Sequence, residues 1–455
     1  MPKEPGPLDA LLDSHSSRPA GRPTAPQRPT SRRPTSNRPA DRRGRAWILA
    51  VVSFLVIAAL SAVVALTQFD RGVRVTPTAA PTASPTPAVV APTPSPSPTE
   101  PQKPSKAKLA INKRLTAAGP KPSLPWPTSG QAKVEIAGVG VIGHSGSTRS
   151  VPIASITKVM TAYTILRDHP LSSGQSGPKI TVTAAEAAAY PDQKANGESV
   201  VVVAAGEKIT ERQALTGLLV ASGGNMANIL ARWDAGSVPA FVAKMNRNAR
   251  RLGMTSTHYA DASGLSSGSV STAADLLKLA PAAMAKPTLA ELVGTQSTAI
   301  PLNPVINNPN TLLGVHGVIG IKTGTTTTAG GCLLFAARRE VDGHTSTIYG
   351  AVLGISGDRS AIHSNARDAG DALVVGAGDS LHRIALLRAG QTVATLVDQK
   401  GVPVKLTVAK TVSVTGWSGQ KFRFSLPTSL RTGRAPTKLT VHTPTRTFTV
   451  KLVKQ

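Results

Sequence analysis

One cysteine, Cys332, stands in 455 residues, so no disulfide can form within the chain and no multi-cysteine metal site can be built. Aromatic residues are scarce at 3%, too few for the stacking platforms that single-stranded nucleic acid requires. Acidic residues are also few: 24 against 51 Lys and Arg, a formal net charge of +27. Such an excess can neutralise phosphates, but much of it lies in the N-terminal tail and the C-terminal end, and no nucleic-acid partner is expected. His144, His258 and His316 are scattered without zinc spacing, so neither a metal nor another cofactor is expected. His316 reads as structural. Cys332 reads as a small core residue, since nothing around it would lower its pKa.

What the chain does contain is a graded organisation. Residues 1–45 are rich in Pro, Arg, Ser and Thr without apolar periodicity, which predicts a disordered basic tail. Ala46 to Leu66 is a 21-residue run with no charge, long enough for a hydrocarbon core of about 30 Å. Arg42, Arg43 and Arg45 precede it, so the N-terminus is expected in the cytoplasm and the rest outside the cell membrane. A cleaved signal peptide would fit less well, given the distance from the start and the lack of a small-residue cleavage site. Residues 67–123 read as an extracytoplasmic Pro/Thr-rich linker. Its stretch from Thr76 to Lys106 favours extended polyproline II, with a reach on the order of 100 Å. Such a stalk suits a target in a thick extracellular matrix.

Residues 124–385 carry the patterns of a globular α+β domain with one main sheet. Strands are expected over Val134–Ile142, Lys179–Val182, Ser199–Val203, Val318–Thr323, Gly331–Ala337 and Ser346–Leu353. Helices are expected from Glu211 to Val220 behind a Thr210 cap, from Pro239 to Gly253, from Ser271 onward, and from Asp358 to Val375. Residues 386–455 turn to period-two alternation, a small antiparallel β domain. From Gln391 onward 11 Lys or Arg face one acid, Asp398, a face that could hold anionic wall polymers or phospholipid or simply be solvated.

Three short stretches carry chemistry. In "IASITKVM", Ser155 and Lys158 are three apart and share one helix face. A hydroxyl becomes a nucleophile when a base takes its proton, and a lysine can do so only when neutral. Burial and a second cation both lower its pKa from about 10.4. "IKTGTTTTAGGC" supplies that cation as Lys322, which can also hold a substrate carboxylate. Thr323 adds a hydroxyl, Gly324 leaves room for a substrate backbone, and the N–H of Thr325 facing that of Ser155 could form an oxyanion hole. "LLVASGGNMAN" contributes Ser222 as a proton relay to a leaving amine.

An S-x-x-K, then a serine motif, then K-T-G in this order resembles the penicillin-binding D-alanyl-D-alanine carboxypeptidases, which are serine peptidases. "GEKITERQALTGLLVAS", "MNRNARRLGMTSTHYADASGL" with "STAADL", and "GIKTGTTTTAGGCL" extend the resemblance over roughly Leu124 to Val375, and the terminal β region is similar to the sandwich many members carry. The resemblance implies a penicillin-binding-protein and β-lactamase-like transpeptidase fold followed by a small antiparallel β domain. It implies that Ser155 attacks the penultimate D-alanine carbonyl of a peptidoglycan stem peptide and Lys158 accepts the proton. Ser222 would pass a proton to the departing D-alanine, and Lys322 and Thr323 would bind the terminal carboxylate. β-Lactams would acylate Ser155.

One departure stands out. The family's serine motif is S-x-N, and here Gly224 occupies the asparagine position, with Asn225 one residue late. Either Asn225 reaches the substrate through a local shift or a contact is missing. A hydrogen bond of this charge-assisted kind is worth about 1.5–3 kcal/mol, so reduced or altered activity is expected. The alternatives are a penicillin-fold protein that binds wall or a partner without turnover and a β-lactamase, the latter disfavoured by the lack of an acidic loop to activate water.

Overall fold

The structure, a computed structural model, describes residues 107–358, 361–398, 401–426, 435–444 and 447–455. The tail over 1–45, the apolar run over 46–66 and most of the expected linker lie outside these residues. Among the described residues no helix is long and apolar enough to cross a membrane.

The described chain opens with two short strands, β1 (Lys108–Leu109) and β2 (Arg114–Thr116). Both fall in the stretch read as linker, yet they form the two outer edges of the C-terminal sheet. Strands this short carry too little periodicity to be recognised before their partners are known.

β3 (Gln131–Ile136) and β4 (Gly140–Gly146) form a hairpin where a single strand was expected. They join β5 (Val318–Thr326), β6 (Gly330–Val341) and β7 (His344–Ile355) in a five-stranded antiparallel sheet of order β5-β6-β7-β3-β4. Both faces are covered. Leu334, Ala336, Ala351 and Leu353 pack into the helical cluster. Leu333, Phe335, Ala337 and Val352 pack on the other face with Leu373, Val374 and Ala377 of α6, defined below. The period-two alternation of β6 thus feeds two cores.

α1 (Thr157–Asp168) is buried around nearly its whole circumference, the mark of a helix at the centre of a domain. Around it lie α2 (Glu211–Leu219), α3 (Gly224–Ala235), α4 (Val238–Arg251) and α5 (Ala273–Met284). Thr210 and Gln213 form a capping box at the start of α2, and Ser237 and Thr272 cap α4 and α5. α6 (Ile362–Asp379) closes the far face of the sheet.

The β-branched run Ser199–Val203 is not a strand. Its main chain is paired instead with two side-chain amides. Asn225 bonds the N–H and C=O of Val201, and Asn303 does the same for Val202. Buried backbone groups need partners, and here carboxamides replace a neighbouring strand.

The C-terminal β region begins at β8 (His382–Leu387), slightly before the expected boundary, and β8 pairs with β11 (Val412–Gly416). β9 (Thr392–Val397), β10 (Pro403–Val408), β12 (Lys421–Ser425), β13 (Lys438–His442) and β14 (Thr447–Lys454) complete a sheet of order β1-β9-β10-β14-β13-β12-β2. Its inward residues, including Val393, Leu406, Phe422, Leu439 and Val441, form a separate core. Gln420 Nε2 donates to the Val139 carbonyl (3.1 Å), tying this sheet to the β3–β4 turn.

Candidate active site

Ser155 lies in a one-turn 3-10 segment, Ala154–Ile156, that runs directly into α1. Ala154 has φ +46°, a left-handed value that a residue with a Cβ adopts only under constraint. The i, i+3 spacing brings Lys158 Nζ to 2.8 Å from Ser155 Oγ. Lys158 is 2% exposed, while Ser155 is half-buried, so the amine is withdrawn from water and the hydroxyl is not fully covered.

The second partner of Lys158 comes from far along the chain. Nζ donates to the carbonyl oxygen of Ser263 at 2.7 Å. Asp261 holds the loop that presents this carbonyl: its Oδ2 accepts from Ser263 Oγ (2.7 Å) and from the N–H groups of Gly264 (2.8 Å) and Leu265 (2.9 Å). Gly264, at φ +85°, is pressed against the serine turn. A Cβ there would fall 1.8 Å from the Ala154 carbonyl oxygen, so only glycine fits.

β5 lines the other side. Lys322 and Thr323 are buried, and Lys322 Nζ donates to the Thr323 carbonyl oxygen (3.1 Å). Gly324 has a steric reason besides the one expected. A Cβ at 324 would lie 2.9 Å from Ser155 N and 3.1 Å from Ile156 N. The close approach of β5 to the serine turn by itself disfavours any side chain at this position. Thr325 follows at the groove, with Oγ1 3.0 Å from His363 Nδ1 on α6.

The two amines share an electrostatic problem. Burial lowers Lys158 to about 8, against the pull of the Asp261 and Glu198 carboxylates, which favour its charged form. Burial lowers Lys322 further, to about 7, and the neighbouring Lys158 ammonium adds to the fall. The repulsion between the two ammonium groups disfavours the state in which both are protonated. Near neutral pH the pair readily gives up one proton.

Ser222 is buried in the turn between α2 and α3, at φ +59°. Gly224 opens α3, its N–H bonded to the Ser199 carbonyl oxygen (2.7 Å). A Cβ added there would meet Ser199 O at 3.5 Å and Glu198 Oε2 and Ser263 Cβ at 3.8 Å, ordinary contact distances. Nothing in the backbone demands glycine. Asn225 does not take over the missing amide. Its Nδ2 donates to the Val201 carbonyl oxygen (2.7 Å) and its Oδ1 accepts from Val201 N (3.2 Å), so the local shift needed to reach a substrate is blocked by a scaffold role.

A groove of about 750 Å³ runs past Thr325, lined among others by Glu198, Leu265 and His363. Burial raises the Glu198 carboxyl above its usual range, partly opposed by Lys158. Sequence reasoning assigned no role to Asp261, Ser263, Gly264, Glu198 or His363. The signal for the first three was present in "ADASGL", an Asp followed by small turn residues; Glu198 and His363 had none. Cys332 is buried, and burial pushes its thiol up to about 12, an inert core position.

Residues 134–352 match the family model described as D-alanyl-D-alanine carboxypeptidase. A D-alanyl-D-alanine carboxypeptidase of Streptomyces sp. is 35% identical over 217 residues, covering 44% of this chain and 71% of the relative. The chain belongs to the D-alanyl-D-alanine carboxypeptidase family. A Mycobacterium tuberculosis member is 36% identical over 195 residues, 41% of this chain and 62% of that protein. Penicillin binding protein 5 from Haemophilus influenzae superposes with a TM-score of 0.55 over 73% of this chain and 98% of that chain. At 19% identity that likeness speaks to fold alone, and the fold is that of penicillin-binding proteins.

Proposed function

We propose that the chain is a serine D-alanyl-D-alanine carboxypeptidase that removes the terminal D-alanine from peptidoglycan stem peptides. The observation that carries this reading is the 2.8 Å contact between Lys158 Nζ and Ser155 Oγ, in a site dry enough to hold the amine near neutrality. Lys158 takes the Ser155 proton as Oγ bonds to the penultimate D-alanine carbonyl carbon. The N–H groups of Ser155 and Thr325 stabilise the oxyanion, a contribution of about 10²–10³ in rate for one donor. The C–N bond then breaks, and Ser222 relays the proton from Lys158 to the departing amine. Water attacks the ester, Lys158 accepts its proton, and that proton returns to Ser155 Oγ.

Lys322 and Thr323 bind the terminal carboxylate. That carboxylate supplies the counter-charge the buried Lys322 lacks, so substrate arrival favours protonation of Lys322 and leaves Lys158 as the neutral base. β-Lactams acylate Ser155 in the same geometry. The run Ala46–Leu66 anchors the chain in the cell membrane, with residues 67–107 as a spacer and the catalytic domain outside.

The test is release of D-alanine from diacetyl-Lys-D-Ala-D-Ala, alongside intact-mass mapping of a penicillin adduct. Release by the native chain, none by Ser155→Ala, and an adduct on Ser155 are expected. An adduct at another residue, or equal release by both proteins, removes the reading.

A further inference from the structure

A second concavity lies on the C-terminal sheet, a groove of about 640 Å³ lined by residues of β2, β12 and the β13 end. The strand register shows how its cations come together. Arg423 on β12 is paired with Arg114 on β2 and with His442 on β13, while Lys421 is paired with Thr116. Cross-strand partners share a face, so these side chains stand together on the face opposite Phe422 and Phe424, which are buried in the core. Arg114, Lys421 and Arg423 are exposed. His442 is fixed by hydroxyls, with Nε2 2.8 Å from Ser425 Oγ and Nδ1 3.1 Å from Thr447 Oγ1.

This face lacks counter-charge by composition. Residues 107–130 and 399–455 contain no Asp or Glu. Asp398 sits in the β9–β10 turn, separated from β12 by β10, β14 and β13, and accepts from the Val402 N–H (2.9 Å). Ordinary soluble surfaces intersperse both signs, and a one-sign cluster destabilises itself by repulsion unless an anion relieves it. Successive cations stand about 5 Å apart across strands and about 7 Å apart along β12. That spacing suits charges repeated along a chain, and arginine forks suit phosphate oxygens. Among the residues lining the groove the one Phe, Tyr or Trp is Phe422, and it is turned into the core, so the large aromatic platform that favours base stacking is not offered.

We propose that this groove binds a base-free phosphodiester polymer, such as a polyol phosphate chain, and so tethers the catalytic domain to an anionic matrix. The test uses the full-length chain in non-ionic detergent with poly(glycerol phosphate) as the probe. The Arg114→Ser/Arg423→Ser variant is compared with Lys405→Ser/Lys454→Ser, which removes the same charge from exposed positions on β10 and β14. The groove variant is expected to bind about 10-fold or more weakly, with a shallower salt dependence. The control variant should bind close to the native level, and both should keep native melting temperatures and D-alanine release from the soluble peptide. Equal weakening by both variants reduces the effect to bulk charge and overturns the proposal. So does binding to anionic phospholipid vesicles without binding to the polymer.

Discussion

Lys158 and Ser263 are 105 residues apart and meet through a 2.7 Å hydrogen bond from the ammonium to a main-chain carbonyl. The bond aims the amine at Ser155, and Asp261 fixes the carbonyl by organising its loop. Burial is the main influence that lowers the Lys158 pKa, and Asp261 opposes it by favouring the charged form, which moves the pH at which the base becomes available upward.

The rate of acylation by penicillin should therefore rise with pH through about 8 as Lys158 loses its proton. Asp261→Asn removes a negative charge, so the Lys158 pKa falls and the rising limb moves to lower pH. A looser loop should also lower the plateau, by about 10- to 100-fold. An unmoved limb with a lowered plateau would reduce Asp261 to a purely structural residue.

Gly324→Ala separates two explanations of the same glycine. The added Cβ would meet the backbone atoms Ser155 N at 2.9 Å and Ile153 O at 3.1 Å, which cannot yield as a flexible side chain would. Displacement of the nucleophile turn should lower kcat by roughly 10², with a stability loss of about 1–3 kcal/mol. A variant whose KM rises while kcat holds would instead return the glycine to the substrate side.

Legibility of the site followed distance along the chain. Ser155 with Lys158, and Lys322 through Thr325, each sit within one turn or one strand, so local periodicity and motif spacing carry them. The Asp261–Gly264 clamp acts on Ala154 and Lys158 across more than 100 residues, and only the fold reveals its target. The five-stranded sheet was readable because β6 and β7 are long and each carries an apolar run, Cys332 to Ala337 and Ala351 to Leu353. Ser199–Val203 misled because β-branching reports a preference for extended backbone, not the presence of a partner strand, and here Asn225 and Asn303 fill that place. β2 was hidden because three residues have no period, and its pairing depends on β12 some 300 positions away.

Gly224→Asn tests the motif departure. The site accepts a Cβ at ordinary distances between Glu198, Ser199 and Ser263. The new amide would stand where it can bond substrate or the Lys158 network, and one such bond is worth about 1.5–3 kcal/mol, a factor of roughly 10–150 in kcat/KM. Activity on the tripeptide should rise by an amount in that range. If turnover is unchanged or lower, the native site is already complete without the amide, and Glu198, whose Oε2 borders the same space, becomes the residue to vary.

Glu211, at the first turn of α2, concerns stability instead of catalysis. Its side chain is fully buried, and neither carboxyl oxygen has a hydrogen-bond partner among the described residues. Burial pushes its pKa up to about 7 from an ordinary value of 4.5. A raised carboxyl pKa means that the folded state holds the proton more tightly than the unfolded one. The contribution is therefore full below pH 4.5 and lost as pH rises through about 7. Native protein should melt at progressively lower temperature between these limits, with this contribution levelling off above them. Glu211→Gln keeps the shape and removes the charge, so it should flatten that slope and raise stability at pH 8 by on the order of 1–3 kcal/mol. Parallel melting curves for the two proteins from pH 5 to pH 8 would show that Glu211 is ionised and paired in the folded chain, against the geometry described.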